Sequence, residues 1–322
     1  MKKKLKIILL LLLLPLFVFG CGKKQQASEE KQREAIEGPA MMWEVTSSET
    51  NAKLYLLGSI HIAKKELYPL NKTITNAFNN SNSLIVEVDT IAFENNREAV
   101  KKISEDMIYS DGTTIEDHIS DSALELLNER VENGGIKGIL KGYEYYYKPM
   151  ALYSVLANEI YESYGYKSQY GIDEYLLKEA KKKNMEIIEL ETAEFQYDVL
   201  FNLPDPIQSA MLESALAPKE SEKELFAKLF DAWEKGDVEA FKELSDKSEE
   251  EDRKSLNHED EKYYLEYQKA LIDDRNATMV EKAIELLKGD KTYFYVVGSA
   301  HMIGDNGIIQ ALIDKGYKVE KK

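Results

Sequence analysis

The chain has 322 residues, 43% of them hydrophobic and 10% aromatic, which is enough apolar material for an extensive core and excludes global disorder. A mean hydropathy of −0.44 excludes a membrane-embedded bundle, and a formal net charge of −16 argues against a nucleic-acid partner, whose phosphates it would repel. Cys21 is the single cysteine, so no disulfide can form within one chain.

Lys2, Lys3 and Lys4 precede, and Lys6 falls just inside, an apolar run, Leu5 to Phe19, that closes on Gly20-Cys21. The run is shorter than the ~20 residues a spanning helix needs. With its basic start and a small residue before the cysteine, it predicts a secretory signal peptide over residues 1–20. The segment resembles a bacterial lipobox, which implies cleavage before Cys21, a lipid on its sulfur, and a body held at the outer face of the cell membrane. A non-cleaved anchor with an incidental cysteine is the alternative. Removing residues 1–20 deletes four lysines and no acid, taking the net charge to −20, so membrane contact would come from the anchor alone. Residues 21–40 are polar and charged without apolar periodicity and read as a solvated tether. The fold is expected over residues 41–322.

Trp43 to Val45 and Lys53 to Leu57 read as strands around a Ser/Asn/Thr turn, hence a hairpin. A helix from about Leu70 to Asn79 and a strand over Leu84 to Val88 follow, giving a βαβ unit with parallel strands. A central helix, Ile172 to Lys182, leads to a strand over Met185 to Leu190. The C-terminal end repeats the pattern with strand Tyr293 to Val297, helix Gly307 to Asp314, Gly316 as a helix stop, and a short strand Tyr317 to Glu320. These pieces predict an α/β fold with a largely parallel or mixed central sheet flanked by helices. Helical insertions at about 95–165 and 205–287 would form a cap, with Leu225, Leu229 and Trp233 marking an amphipathic helix over the sheet. The acidic runs Ser248 to Asp252 and Asn257 to Glu261 read as solvated helix ends or loops. Tyr143 to Pro149 reads either as the lining of a groove or as a half-buried amphipathic segment.

Reactive side chains gather at the carboxyl ends of parallel strands, where ligands bind in open α/β sheets. Two strands end in nearly the same words, Gly58-Ser59-Ile60-His61 and Gly298-Ser299-Ala300-His301, and use two of only four histidines. Gly58 and Gly298 would take backbone angles denied to other residues and swing each histidine over the sheet edge. Glu87 ends the neighbouring strand, and Glu189 and Glu191 end another. Two imidazoles and a carboxylate converging there suit a divalent first-row metal, with amide or ester hydrolysis as the economical chemistry. Arg275 either holds a substrate carboxylate or oxyanion, or pairs with Glu191 or Asp274 to brace the edge. Asp173 reads first as a helix N-cap. His118 and His258 read as surface residues.

At these positions the chain resembles the TraB/GumN family, relatives of the TIKI proteins. The resemblance runs from about Trp43 to Val319. It rests on the paired Gly-x-x-His motifs, Glu87, Tyr170-Gly171-Ile172-Asp173, Leu190-Glu191, Asp274-Arg275-Asn276 and Gly304-Asp305-Asn306-Gly307. It implies a metal-dependent, protease-like site with His61, Glu87 and His301 as the metal and catalytic set and a divalent ion of the manganese, cobalt or zinc class. Arg275 would act with them, and Glu191, Asp173, Asn276 and Tyr170 would support them. The expected substrate is a peptide or a protein N-terminus. Bacterial members of the family are also tied to peptide pheromone control, so a non-catalytic peptide-binding or sequestering lipoprotein is the rival reading. A further reading makes both histidines structural.

Overall fold

The computed structural model describes residues 34–136, 142–217, 220–254 and 258–322. The signal segment, Cys21 and the first part of the tether lie outside these residues, as does Asn257. Among the described residues no helix is long and apolar enough to cross a membrane.

Strands β1 (Met42–Thr46) and β2 (Lys53–Ser59) form the expected hairpin, antiparallel with Trp43 opposite Leu56. Helix α1 (Lys72–Asn79) starts where the Asn71 side chain accepts the Thr73 N–H at 2.8 Å, and it buries Ile74, Ala77 and Phe78 at helical spacing. Strand β3 (Ser83–Val86) follows. A helical stretch then comprises α2 (Thr90–Asn95), α3 (Arg97–Asp106), α4 (Asp121–Glu132) and α5 (Pro149–Ser163), before α6 (Ile172–Lys182) and β4 (Glu186–Glu189). The second stretch holds α7 (Ala193–Phe201), α8 (Asp205–Leu216), α9 (Glu220–Glu234), α10 (Val238–Arg253), α11 (His258–Gln268), a π-helical turn Lys269–Asp273, and α12 (Asp274–Leu287). The chain closes with β5 (Thr292–Gly298), α13 (Ser299–Met302), α14 (Ile308–Asp314) and β6 (Lys318–Lys321).

The fold is α/β, with a mixed six-stranded sheet in the order β4-β3-β5-β2-β1-β6. β4, β3, β5 and β2 pair in parallel, and β1 is antiparallel to both β2 and β6. The βαβ reading holds in direction but not in adjacency, because β5, more than 200 residues later in sequence, lies between β2 and β3. Its near-continuous apolar run, buried from Tyr293 to Gly298, suits a central position covered on both faces.

Two apolar cores result. One packs on the sheet and joins Leu54, Leu56, Ile85, Phe294 and Val296 to Leu229 and Trp233 of α9. The other joins cap helices through Leu152, Tyr197, Met211, Tyr264 and Leu271. Val88 after β3 belongs to it and Ala300 after β5 packs against it, so the cap begins where the parallel strands end. α5 crosses between them, giving Met150 to Leu156 to the cap and Ala157 and Tyr161 to the sheet core.

Three expectations change in detail. Ile36, Gly38 and Pro39 dock through their carbonyls on the start of α1, accepting from Lys72 N–H at 2.8 Å and Asn71 Nδ2 at 3.1 and 3.0 Å, so the body takes in the last residues read as tether. Ser248 and Asp252 lie on the buried face of α10 with Phe241 and Ser245, because the run wraps a helix rather than leaving it. The Tyr143 to Pro149 segment is half-buried: Tyr145 and Tyr147 pack against the cap core, while Tyr143 and Tyr146 face solvent.

Trp233 binds the cap stretch to the sheet by a polar contact as well, since its Nε1–H donates to the Gly58 carbonyl at 2.7 Å inside the core. Trp233→Phe is expected to leave that carbonyl unpaired and to cost about 1–3 kcal/mol, read by chemical denaturation. A loss under a few tenths of a kcal/mol would show that the hydrogen bond does not matter.

Candidate functional site at the carboxyl end of the sheet

The two Gly-Ser-x-His segments share a sequence and not a conformation. β2 stays extended through Ser59 before His61, whereas β5 turns at Gly298 into α13, which carries His301 on a single helical turn. Ser59 pairs with Gly298 in the parallel register, and the Ser299 hydroxyl donates to the Ser59 carbonyl at 2.9 Å, tying one segment to the other. The glycines do not serve through unusual backbone angles, as expected above. Gly58 has no positive φ; a Cβ there would stand 2.9 Å from Ser299 Oγ and 3.0 Å from Ser299 Cα. Close approach is therefore its reason. Gly298 has φ −50° and ψ 142°, angles open to any residue, and its N–H donates to Glu87 Oε1 at 2.7 Å.

His61 is held from below by the start of α6. Asp173 accepts from His61 Nδ1 through Oδ2 and from Ser59 Oγ through Oδ1, both at 2.8 Å. The N-cap of α6 is Gly171, so Asp173, inside the first turn, is a partner of the histidine rather than the cap expected. Gly171 lets the helix approach: a Cβ there would lie 2.2 Å from the His61 carbonyl oxygen, and the next N–H, of Ile172, donates to Ile60 O at 3.0 Å. Burial pushes the His61 ring down, but the Asp173 carboxylate more than reverses this and holds it above 6.5.

His301 has a neutral partner instead. Its Nδ1 stands 2.7 Å from Asn276 Oδ1, and Asn276 Nδ2 donates to the Asn306 carbonyl at 2.8 Å. That carbonyl can only accept, so the amide is fixed with its oxygen toward the ring; Nδ1 carries the proton and Nε2 the lone pair. Burial drives His301 well below 6.5, and the charges of Arg275 and His61 push the same way. The Asp274-Arg275-Asn276 run and the Gly304 to Gly307 loop thus meet at one histidine.

Glu87, Arg275 and Glu191 form a buried ion cluster. Arg275 grips Glu191 with two hydrogen bonds, Nε to Oε1 and Nη2 to Oε2 at 2.8 Å each, and its Nη2 also reaches Glu87 Oε2 at 2.6 Å. The bracing role for Arg275 is the one the structure shows, with Glu87 as a second partner. The π turn Lys269–Asp273 just before Arg275 presents the Leu271 carbonyl to Nη1 at 3.1 Å. Arg275 is only 2% exposed, and the two carboxylates beside it hold its guanidinium above its ordinary range against the opposing effect of burial.

Gln196 was not foreseen. Its Nε2 donates to Glu87 Oε2 at 2.9 Å and to Glu191 Oε2 at 3.0 Å. Its signal in the sequence was faint: one amide on a helix whose other buried residues are Ala193, Tyr197, Leu200 and Phe201. Ser59 and Ser299, inside the quoted motifs, also have roles that periodicity does not reveal. The remaining candidates stand apart. Tyr170 contributes its carbonyl to the Tyr68 hydroxyl at 2.7 Å and packs on the sheet core. Glu189 is exposed and accepts from the Asp89 N–H at 2.7 Å. His118 is partly buried, stacked on Tyr109 and bonded to Asp205 and Thr113, and His258 is exposed at the start of α11.

The donor chemistry fits a divalent ion. His61 Nε2 and His301 Nε2 are buried without a hydrogen-bond partner, while each Nδ1 is held by an outer group, the usual way a metal-ligating imidazole is oriented. Glu87 has three of about four lone-pair sites in use and keeps one on Oε1. Two buried carboxylates, Glu87 and Glu191, share the one Arg275 guanidinium, while Asp173 is paired with the His61 ring; two anions against one cation leave an excess of negative charge in the cluster. Among the described residues no three His, Cys, Asp or Glu side chains stand together as a ready-made metal cluster.

Two predictions follow from the cluster and the rings. Arg275→Ala leaves two carboxylates buried without their cation and is expected to cost about 3–5 kcal/mol in denaturation, against a fraction of that for exposed pairs such as Lys235–Asp231. In the metal-free protein, NMR titration of the imidazoles should place His61 above 6.5 and His301 below it. The reverse order would contradict the partner assignment.

A family model of the TraB/PrgY/gumN family matches residues 41–321. "Uncharacterized protein YbaP" of Escherichia coli (strain K12) is 26% identical over 263 residues, covering 81% of this chain and 88% of that protein, and its Shigella flexneri counterpart matches equally. "Metalloprotease TIKI2" of Xenopus tropicalis is 39% identical over 56 residues, 17% of this chain and 11% of that protein. No solved structure matches significantly. The chain belongs to the TraB/PrgY/gumN family.

Proposed function

We propose that this protein is a metal-dependent hydrolase, peptidase-like, that acts on peptides or protein N-termini while held by lipid on Cys21 at the outer face of the cell membrane. The observation that carries the reading is the pair of buried imidazoles at the sheet's carboxyl edge, each engaged at Nδ1 and open at Nε2. The short match to a protein named a metalloprotease supports the reaction class, and the basic start, apolar run and Gly20-Cys21 support the anchor.

A divalent ion held by His61 Nε2, His301 Nε2 and the open lone pair of Glu87 would supply Lewis-acid polarisation of the scissile carbonyl. The protein's own groups do the rest. Asp173 fixes the His61 ring and Asn276 fixes the tautomer of His301, so both nitrogens are presented without reorganisation. Arg275 commits four of its five N–H donors to Glu87, Glu191 and Leu271; the remaining one on Nη1 can steady a substrate carbonyl or carboxylate. The cap core over the strand ends excludes water. The completeness of the Arg275 cluster favours a second reading, a non-catalytic peptide-sequestering lipoprotein in which these residues brace a pocket.

Metal analysis and peptide cleavage by the purified protein separate the readings. Asp173→Asn and Asn276→Ala are expected to lower metal affinity or activity by about 10–100-fold with the fold intact, and His61→Ala and His301→Ala by more. Unchanged metal content and turnover in both histidine variants would sink the site assignment, and loss of melting temperature alone would make the histidines structural.

A further inference from the structure

Gln196 stands against the ion cluster with half of its amide unexplained. It is 1% exposed, and its Nε2 donates to one oxygen of Glu87 and one of Glu191, the same two atoms that Arg275 Nη2 engages. The amide cannot be turned over, because its carbonyl would then face two carboxylate oxygens, acceptor against acceptor. Its helix is fixed as well: the Thr192 hydroxyl caps α7 at Phe195 N–H, 3.1 Å away, directly after Glu191. The direction of Oε1 is therefore set by the protein, and that oxygen is buried with no hydrogen-bond partner. A buried acceptor held in place without a donor calls for one from outside the chain. The donor must be small enough to reach a position one amide away from Glu87, and a neutral N–H or a water has the right chemistry.

We propose that Gln196 Oε1 accepts one backbone N–H of the bound peptide, making Gln196 a specificity-determining contact that recognises a secondary amide beside Glu87; this rests on the peptidase reading above. Proline, which lacks the N–H, is disfavoured at that substrate position, and so is an ester link.

The test digests a pool of short randomised peptides with the manganese-loaded protein, takes the cleaved sequence, and replaces its backbone N–H groups by ester oxygen one at a time outside the scissile bond. In the wild type, kcat/KM falls by about tenfold or more at one position. Gln196→Met shows a similar fall with the intact peptide and no further fall with that ester. Gln196→Glu must hold a proton between two carboxylates, keeps an acceptor in place, and keeps the ester sensitivity. Equal sensitivity of wild type and Gln196→Met at every position overturns the proposal, assigns water to Oε1, and leaves the peptidase reading standing. A pool left intact by the wild type overturns both. If Gln196→Met does not fold, the wild-type scan decides alone, since the absence of any position with such a fall overturns the proposal.

Discussion

Glu87 and Glu191 end adjacent strands and would repel each other across the sheet edge; the Arg275 guanidinium between them is the constraint on which the rest of the site depends. Burying each ion costs several kcal/mol, repaid only when its hydrogen-bonding sites are filled. The surroundings are arranged accordingly. The π turn supplies the Leu271 carbonyl, Gly298 supplies a backbone N–H, and Gln196 supplies both amide hydrogens. Through these bonds the ends of β3, β4 and β5 are fixed against α7 and α12, and the position of His301, three residues past Gly298, follows from them.

Two histidines with matching flanks become chemically unequal because of what lies behind them. Asp173 places a charge against His61, while Asn276, itself turned by Asn306, places a dipole against His301. One ring favours a proton and the other refuses it, so their shared sequence gives them different capacities. The repeat Gly-Ser-x-His accordingly serves the contact between the two segments more than any symmetry of function, since Ser299 bonds Ser59 and Gly58 makes room for it.

Much of this was legible in the sequence. Unbroken apolar runs identified β3 and β5, the hairpin followed from its turn, and α6 matches its predicted span from Ile172 to Lys182. His61, Glu87 and His301 were singled out by their place at strand ends and Arg275 by the charge it could offer there, and the structure pairs Arg275 directly with Glu87. What was hidden depends on distance in space. The insertion of β5 between β2 and β3 leaves no local trace, and neither does the approach of a helix to the His61 carbonyl that makes Gly171 necessary. Asp173 at a helix start looks like a cap because capping is a local pattern and its partner is 112 residues away. Gln196 was missed for the same reason.

The orphaned atoms show where the fold gives up stability. Buried atoms without partners also occur in the cap core, at the Tyr153 and Tyr267 hydroxyls, but His61 Nε2, His301 Nε2 and Gln196 Oε1 are grouped around the ion cluster, where the cap meets the strand ends. Each such atom costs roughly what a lost hydrogen bond costs, while the other end of each group is committed: His61 Nδ1 to Asp173, His301 Nδ1 to Asn276, and Gln196 Nε2 to Glu87 and Glu191. An apolar side chain of similar size would remove that cost but would leave Asp173, Asn276, or Glu87 and Glu191 short of a partner. Three oriented, unpaired atoms beside a charge network that keeps an open lone pair on Glu87 Oε1 are a cost to the apoprotein that a bound ligand would offset.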